Sequence, residues 1–290
     1  MLHGFLTIDK PAGITSHDVV TRVRRLARQK RVGHGGTLDP AATGVLPVGL
    51  GEATRLLDYL VEGRKRYVAV IELGRTTTTD DAEGVTVAEH PVPDLGAGRL
   101  QAILAGFTGA IMQVPPMYSA IQIEGRRLYD LARQGQQLEL EPRPVEIDAI
   151  TLLHWESPRL TVEITCGKGT YIRAVARDLG IALGCGAHLA ALQRTAVGPL
   201  SIERAVPLAT MEQEPHSLAY HLLPPEAAVE HLRCFTLDEV TARRVQHGLP
   251  VERDGDAIGE VARAHASGRL QALLRYDGTA WRPFKVFGWR

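Results

Sequence analysis

The sequence has 290 residues, 44% of them apolar, and its 33 Lys and Arg balance 33 Asp and Glu to a formal net charge of zero. That length suits one large domain plus a small one, and no run approaches the roughly 18 consecutive apolar residues of a membrane span. The start, MLHGFLTIDKPAG, lacks the basic flank and apolar core of a signal peptide, so a soluble, cytoplasmic protein is expected.

Taken in chain order, FLTID (residues 5–9) reads as a short strand ending at Lys10-Pro11. A helix should follow, with Thr15 or Ser16 as N-cap, Asp18 at capping-box spacing from Thr15, and Val19, Val23 and Leu26 repeating at helical period. Between and after those apolar positions lie Arg22, Arg24, Arg25, Arg28, Lys30 and Arg31, with no acid from Asp18 to Asp39. Residues 1–66 hold eleven Lys and Arg against six Asp and Glu, so they carry +5 and the remainder −5. Overall neutrality thus hides a basic front end able to neutralise several phosphates, although a run of charge is equally a solvated helix face.

Residues 33–51, GHGGTLDPAATGVLPVGLG, are so dense in glycine and proline that a loop is predicted throughout. EATRLLDYL (52–60) reads as a helix and RYVAVIELG (66–74) as a β-branched strand. RLQAILAGF (99–107) is a further helix, VEIDAITLLHW (145–155) and RLTVEITC (159–166) are strands, and TYIRAVARDLGIAL (170–183) has helical spacing of Ile172, Val175, Leu179 and Leu183. The pattern loosens over 214–232, and a tail with a helix at 237–248 and several short strands reads as a separate small domain. Strands and helices mix without βαβ alternation, so the class is α+β.

Asp39, in HGGTLDP, is on its own the residue of an ordinary Asp-Pro turn. Its neighbours Gly33, Gly35 and Gly36 let a backbone approach a ligand closely, as loops that carry functional groups require. Other chemistries fit poorly. GKGT (167–170) lacks the earlier glycine of a phosphate loop, Val162 standing in its place, and no GxGxxG opens a βαβ unit. Asp80, Asp81 and Glu83 lack the closing glutamate of a calcium loop, and Cys185 and His188 lack a second ligand pair, so no metal is expected. No GxSxG elbow marks a serine hydrolase. The three cysteines, Cys166, Cys185 and Cys234, are widely spaced and are not expected to form a disulfide framework.

Five segments together resemble the TruB-type tRNA pseudouridine synthases, in the family's order and over nearly the whole chain. GHGGTLDPAATGVLP is similar to that family's catalytic loop, KRYVAVIELGRTTTTDDAEG to its tyrosine strand, and CGKGTYIRAVARDLG to its arginine segment. VPPMYSAIQIEGRRLYDLAR is similar to its RNA-gripping insertion and HLAALQRTAVG to its leucine segment. The resemblance implies a pseudouridine synthase catalytic fold over residues 1–230, with a central mixed, largely antiparallel sheet and the insertion at about 117–145. It implies a β-rich, PUA-like RNA-binding domain over 231–290. It also implies isomerisation of uridine 55 in the T-loop of tRNA, with no cofactor, no metal, no obligatory protein partner and a monomeric enzyme.

Residue by residue, the resemblance makes Asp39 the catalytic carboxylate, Tyr67 the tyrosine under the target base, Arg173 the arginine paired with the aspartate, Leu192 the apolar wall and His34 the histidine that helps displace the base. An adjacent guanidinium is expected to lower the Asp39 pKa and orient it. Lys65, Arg24, Arg28 and Arg126 are the expected RNA contacts. Two positions depart from the family: Gly35 stands where threonine is usual, removing a hydroxyl, and Gln122 where lysine is common, implying a less basic grip. The competing readings are a non-catalytic RNA-binding or tRNA-folding protein using the same surface, and a synthase working in a guide-RNA complex.

Overall fold

The computed structural model describes residues 1–118, 122–123, 126–128 and 140–289. In chain order the strands begin with β1 (Gly4–Lys10), β2 (Val32–His34), β3 (Thr43–Leu50) and β4 (Lys65–Leu73). A hairpin of β5 (Arg75–Thr77) and β6 (Thr86–Glu89) precedes β7 (Gly109–Gln113), and β8 (Gln122–Ile123) pairs with β9 (Arg126–Arg127). Then come β10 (Arg143–Glu156), β11 (Arg159–Cys166), β12 (Ala187–Val197), β13 (Leu200–Ser201) and β14 (Val206–Pro207). The main sheet is ten-stranded and runs β14-β1-β3-β12-β4-β11-β10-β7, with β2 on β3 and β13 on β12. Its pairs are antiparallel except β1 with β14 and β3 with β12, so the α+β class with a mixed, largely antiparallel sheet holds.

The six α-helices are α1 (Ser16–Leu26), α2 (Leu57–Glu62), α3 (Ala97–Ala105), α4 (Ile172–Leu183), α5 (Leu208–Gln213) and α6 (Glu239–Gln246) among the described residues. None is long and apolar enough to cross a membrane. Helix α1 starts as its sequence requires: the Thr15 side chain accepts from Asp18 N–H and the Asp18 carboxylate accepts from Thr15 N–H, a complete capping box. It buries Val19, Val20 and Val23 against Leu6, Ile8, Leu46 and Val48 of β1 and β3. Helix α4 places Ile172, Val175, Ala176 and Leu179 on the sheet face formed by Tyr67, Ala69, Ile71, Val162 and Ile164. Each such large side chain stabilises the packing by about 1.5–3 kcal/mol. Helix α4 ends at Gly184, which takes the left-handed φ of 72° that closes a helix.

The segment predicted as a continuous loop contains strand β3, paired through seven residues with β1. Its glycines are close-approach positions rather than breakers. A Cβ on Gly44 would stand 2.2 Å from the Arg194 carbonyl oxygen, and one on Gly49 would crowd Thr54 and Leu57. The segment predicted as a helix at 52–60 begins instead as a 3-10 turn, Gly51–Leu56, with no side-chain cap, and becomes α only from Leu57.

Strands β15 (Arg233–Thr236), β16 (Val261–Ala266), β17 (Arg269–Tyr276) and β18 (Trp281–Val286) form a separate four-stranded sheet with its own core around Trp281. A second cluster joins it to the main body, packing Leu270, Leu273 and Phe287 with Phe5, Leu56, Leu57, Leu60 and Val197. The RNA-gripping insertion expected at about 117–145 falls largely outside the described residues, and so does the side chain of Arg126.

Candidate active site at the centre of the sheet

Asp39 lies in the turn between β2 and β3, and its neighbours on both sides are pinned. The Ser16 hydroxyl, at the start of α1, donates to Leu38 O at 3.1 Å and accepts from Leu38 N–H at 2.9 Å. The Lys10 ammonium is fully buried and donates to the carbonyls of Pro11, Ile14 and Pro40 at 2.9, 2.8 and 3.1 Å. All three of its protons are thereby used. Gly13 N–H also donates to Pro40 O at 2.9 Å, and Ala42 N–H to Asp39 O at 3.1 Å. The backbone around Asp39 is therefore fixed from β1, α1 and the KPAG turn, while its own side chain stays 44% accessible.

Arg173, in the first turn of α4, reaches that carboxylate. Its Nη2 lies 3.2 Å from Asp39 Oδ2 and donates to Tyr118 O at 2.7 Å. Its Nη1 lies 3.4 Å from Asp81 Oδ2 and donates to Thr79 O at 3.3 Å. Arg173 is only 7% exposed, so its planar fork is held in one orientation by two carboxylates and two carbonyls. Asp81 is held in turn: its Oδ1 accepts from Thr79 Oγ1 at 2.5 Å and from Glu83 N–H at 3.1 Å. The pairing expected for Arg173 and Asp39 is present. Burial raises the Asp39 pKa. Arg173 pulls it down, as expected of an adjacent guanidinium, and Lys10 adds to that, but burial outweighs them and Asp81 adds to the rise, so the net shift is upward. Arg173 thus keeps Asp39 ionisable in a site that disfavours its charge.

Tyr67 sits on β4, 7% exposed as a residue, directly across from Arg194 on β12. Sequence reasoning gives Arg194 no role. It is 1% exposed, donates from Nε to Val45 O at 2.8 Å and from Nη2 to Gly36 O at 3.0 Å, and its guanidinium acts electrostatically on the Tyr67 hydroxyl. Burial raises the Tyr67 pKa and Arg194 opposes the rise. One side chain therefore joins the loop on either side of Asp39 to the tyrosine. Leu192, two residues earlier on β12, is partly buried against the cluster that contains Tyr67. His34 lies on β2 opposite Val48, its pKa is lowered by burial and by Arg194, and its Nδ1 finds no partner among the described residues. Gly35 leaves no room for a larger residue without adjustment, since a Cβ there would stand 3.2 Å from Val61 and 3.3 Å from Leu57 side-chain carbons.

The expected RNA contacts fare differently. Lys65 is turned inward, 7% exposed, and its ammonium donates to Val61 O at 2.7 Å, so it is committed to the core. Arg24 is likewise committed, donating to Lys30 O at 3.1 Å and Val32 O at 3.2 Å and so tying the end of α1 to β2. Arg22 faces Glu212 at 3.4 Å. Arg28 is exposed, as are Arg25 and Lys30, and these three form the solvent-facing basic patch of this segment.

The site thus brings together a carboxylate oriented by a buried guanidinium, a buried tyrosine and a partly buried leucine. The comparisons with known proteins give that arrangement a family. A family model described as TruB family pseudouridylate synthase (N terminal domain) matches residues 24–172, and one described as tRNA pseudouridylate synthase B C-terminal domain matches residues 173–230. A tRNA pseudouridine synthase B of Gloeobacter violaceus is 51% identical over 265 residues, covering 90% of each chain. One from Dehalococcoides mccartyi is 46% identical over 291 residues, covering 99% of this chain and 97% of its own. Among solved structures, a Cbf5-Nop10-Gar1 complex aligns at a TM-score of 0.76 and 28% identity, covering 98% of this chain and 85% of that one. An archaeal box H/ACA sRNP Nop10-Cbf5 complex aligns at 0.75 and 27%, covering 98% and 86%.

Proposed function

The chain belongs to the TruB family of pseudouridylate synthases, and we propose that, as a tRNA pseudouridine synthase, it isomerises the uridine at position 55 of the tRNA T-loop with Asp39 as the catalytic carboxylate. The observation that carries the assignment of Asp39 is its 3.2 Å contact with Arg173 beside the buried Tyr67–Arg194 pair.

The reaction breaks the bond between N1 of uracil and C1′ of ribose, turns the base over and joins C1′ to C5. C5 loses a proton and N1 gains one, so no redox partner or outside group enters. The uridine must first leave the T-loop stack, at a cost of a few kcal/mol. Phosphate contacts from Arg25, Arg28 and Lys30, and from Arg126 in the insertion, offset that cost, while His34 fills part of the vacated space. Tyr67 stacks under the base and Leu192 closes its other side. Ionised Asp39, held in one orientation by Arg173, enables cleavage of the N1–C1′ bond. After C1′–C5 bond formation the Tyr67 oxygen takes part in removing the C5 proton, and Arg194 stabilises the negative charge that develops there. Lys10 and Ser16 touch no substrate in this scheme; they hold the loop rigid.

Residues 231–290 act as a PUA-like RNA-binding domain, and the chain works as a monomer in the cytoplasm without an obligatory protein partner. An unmodified tRNA transcript incubated with the isolated chain is expected to gain pseudouridine at position 55 and nowhere else. Failure of the wild-type chain to form any leaves the non-catalytic RNA-binding reading; formation only after a guide RNA or protein partner is added leaves the guide-RNA reading.

A further inference from the structure

Helix α4 carries a second arginine one turn beyond Arg173, and its contacts repeat those of the first. Arg177 Nη1 lies 3.1 Å from Asp80 Oδ2, its Nη2 donates to Val114 O at 2.8 Å, and its Nε donates to Asp178 Oδ1 at 2.9 Å within the helix. Each arginine thus bonds one carboxylate of the Asp80-Asp81 pair and one carbonyl of the 114–118 segment. Adjacent residues on a chain seldom point at the same helix face four residues apart. Here the geometry is made by Asp80 itself, whose backbone is left-handed at φ 61°, a conformation aspartate tolerates better than most residues. The turn is sewn to β12, Leu189 N–H donating to Asp80 O at 2.9 Å and Ala82 N–H to Leu189 O at 3.0 Å. Both Arg177 and Asp80 are about a fifth exposed in their side chains and neither reaches Asp39.

We propose that Arg177 and Asp80 are positioning residues for the reaction: their ion pair holds the Asp81 turn and the 114–118 segment in register with α4, so that the Arg173 fork meets Asp39. The proposal rests on the functional reading of Asp39 above. Three of the four acceptors of Arg173, namely Asp81, Thr79 O and Tyr118 O, belong to the two segments that Arg177 anchors. Without the anchor the turn keeps its β12 bonds but loses one of its two ties to α4, and the aim of Arg173 loosens. The charged groups that act on the Asp39 carboxyl are then Asp81 and Lys10 with a displaced Arg173, and the pH at which Asp39 ionises rises.

The test uses the full chain and a T-stem-loop RNA under single-turnover conditions, with Arg177→Gln, Asp80→Asn and the double variant. Asparagine is chosen because it also tolerates the left-handed backbone. Each single variant is expected to lower the single-turnover rate about 10-fold or more, to move the acid limb of the rate–pH profile to higher pH, and to leave RNA affinity within about twofold. The double variant should be no slower than the slower single variant, because the two side chains act as one unit. Arg177→Lys, which keeps the charge, should retain the wild-type acid limb. The proposal is overturned if the single variants keep the wild-type rate and limb, or if rates fall only in proportion to the folded fraction at each temperature. Wild-type activity and an inactive Asp39→Asn control, measured together, separate failure of this inference from failure of the assignment of Asp39.

Discussion

Replacing Arg194 by methionine, which is close in length but neutral, removes the side chain that joins the Asp39 loop to Tyr67. Two carbonyls, Gly36 O and Val45 O, lose charged donors that stand at 3.0 and 2.8 Å. A buried acceptor left unpaired costs about 1–3 kcal/mol, so the two together cost about 2–6 kcal/mol. Sparing the burial of a guanidinium with no carboxylate partner among the described residues returns part of that. The net destabilisation is therefore about 1–4 kcal/mol, within the roughly 5–15 kcal/mol a domain possesses, so the variant should fold. Catalysis should suffer more than stability, because the loop on both sides of Asp39 and the Tyr67 oxygen lose the same support. A loss of about 10- to 100-fold in single-turnover rate is expected. Urea denaturation and quench-flow on a T-stem-loop RNA measure the two effects. An unchanged urea midpoint with a rate within twofold of wild type would refute the role given to Arg194.

Asp39→Asn tests the raised pKa of Asp39. A carboxyl raised on folding contributes stability below its unfolded value near 3.9, and that contribution is lost as pH rises through its folded pKa. The melting temperatures of variant and wild type should thus be similar near pH 4 and diverge in favour of the variant towards pH 7, and a gap constant with pH would count against the shift. Gly44→Ala forces a side chain onto a φ of 97° and within 2.2 Å of Arg194 O, so a loss of about 3–5 kcal/mol in urea-derived stability is expected. Replacing Arg25 and Arg28 by alanine should flatten the log-salt slope of tRNA binding by up to about two units. Arg24→Ala should leave that slope and instead lower the melting temperature, since its donors serve Lys30 O and Val32 O.

The elements that the sequence made legible are those whose periodicity reflects one-sided burial. In β4, alternate residues from Lys65 to Leu73 are buried, and in α4 Ile172, Val175 and Leu179 share a stripe, so period and outcome agree. Strand β3 was hidden because its glycines and Pro47 signal a loop by composition. Their cause is crowding by Arg194 and α2, and crowding has no local signature. The basic run was legible as charge but not as orientation: Arg24 follows buried Val23 and folds back on the chain after α1, which no helical wheel reveals. In the sequence Asp81 has no individual signal beyond an incomplete calcium loop. The signal that could have found it is the pair of arginines four apart at 173 and 177, matching two adjacent acids. Arg194 carried no such signal, since an arginine in LQRTAV reads as a solvent-facing strand residue until the close approach of Gly36 and Gly44 is seen.

The central claim is that Asp39, aimed by Arg173, performs uridine isomerisation in the T-loop. Tritium release from a tRNA transcript carrying [5-3H]uridine follows loss of the C5 proton directly. The wild-type chain is expected to release the label of one uridine per tRNA, with pseudouridine appearing at position 55 on sequencing, and Asp39→Asn is expected to release none while still binding the tRNA. Full release by Asp39→Asn, or release by the wild type from a uridine outside the T-loop, would contradict it.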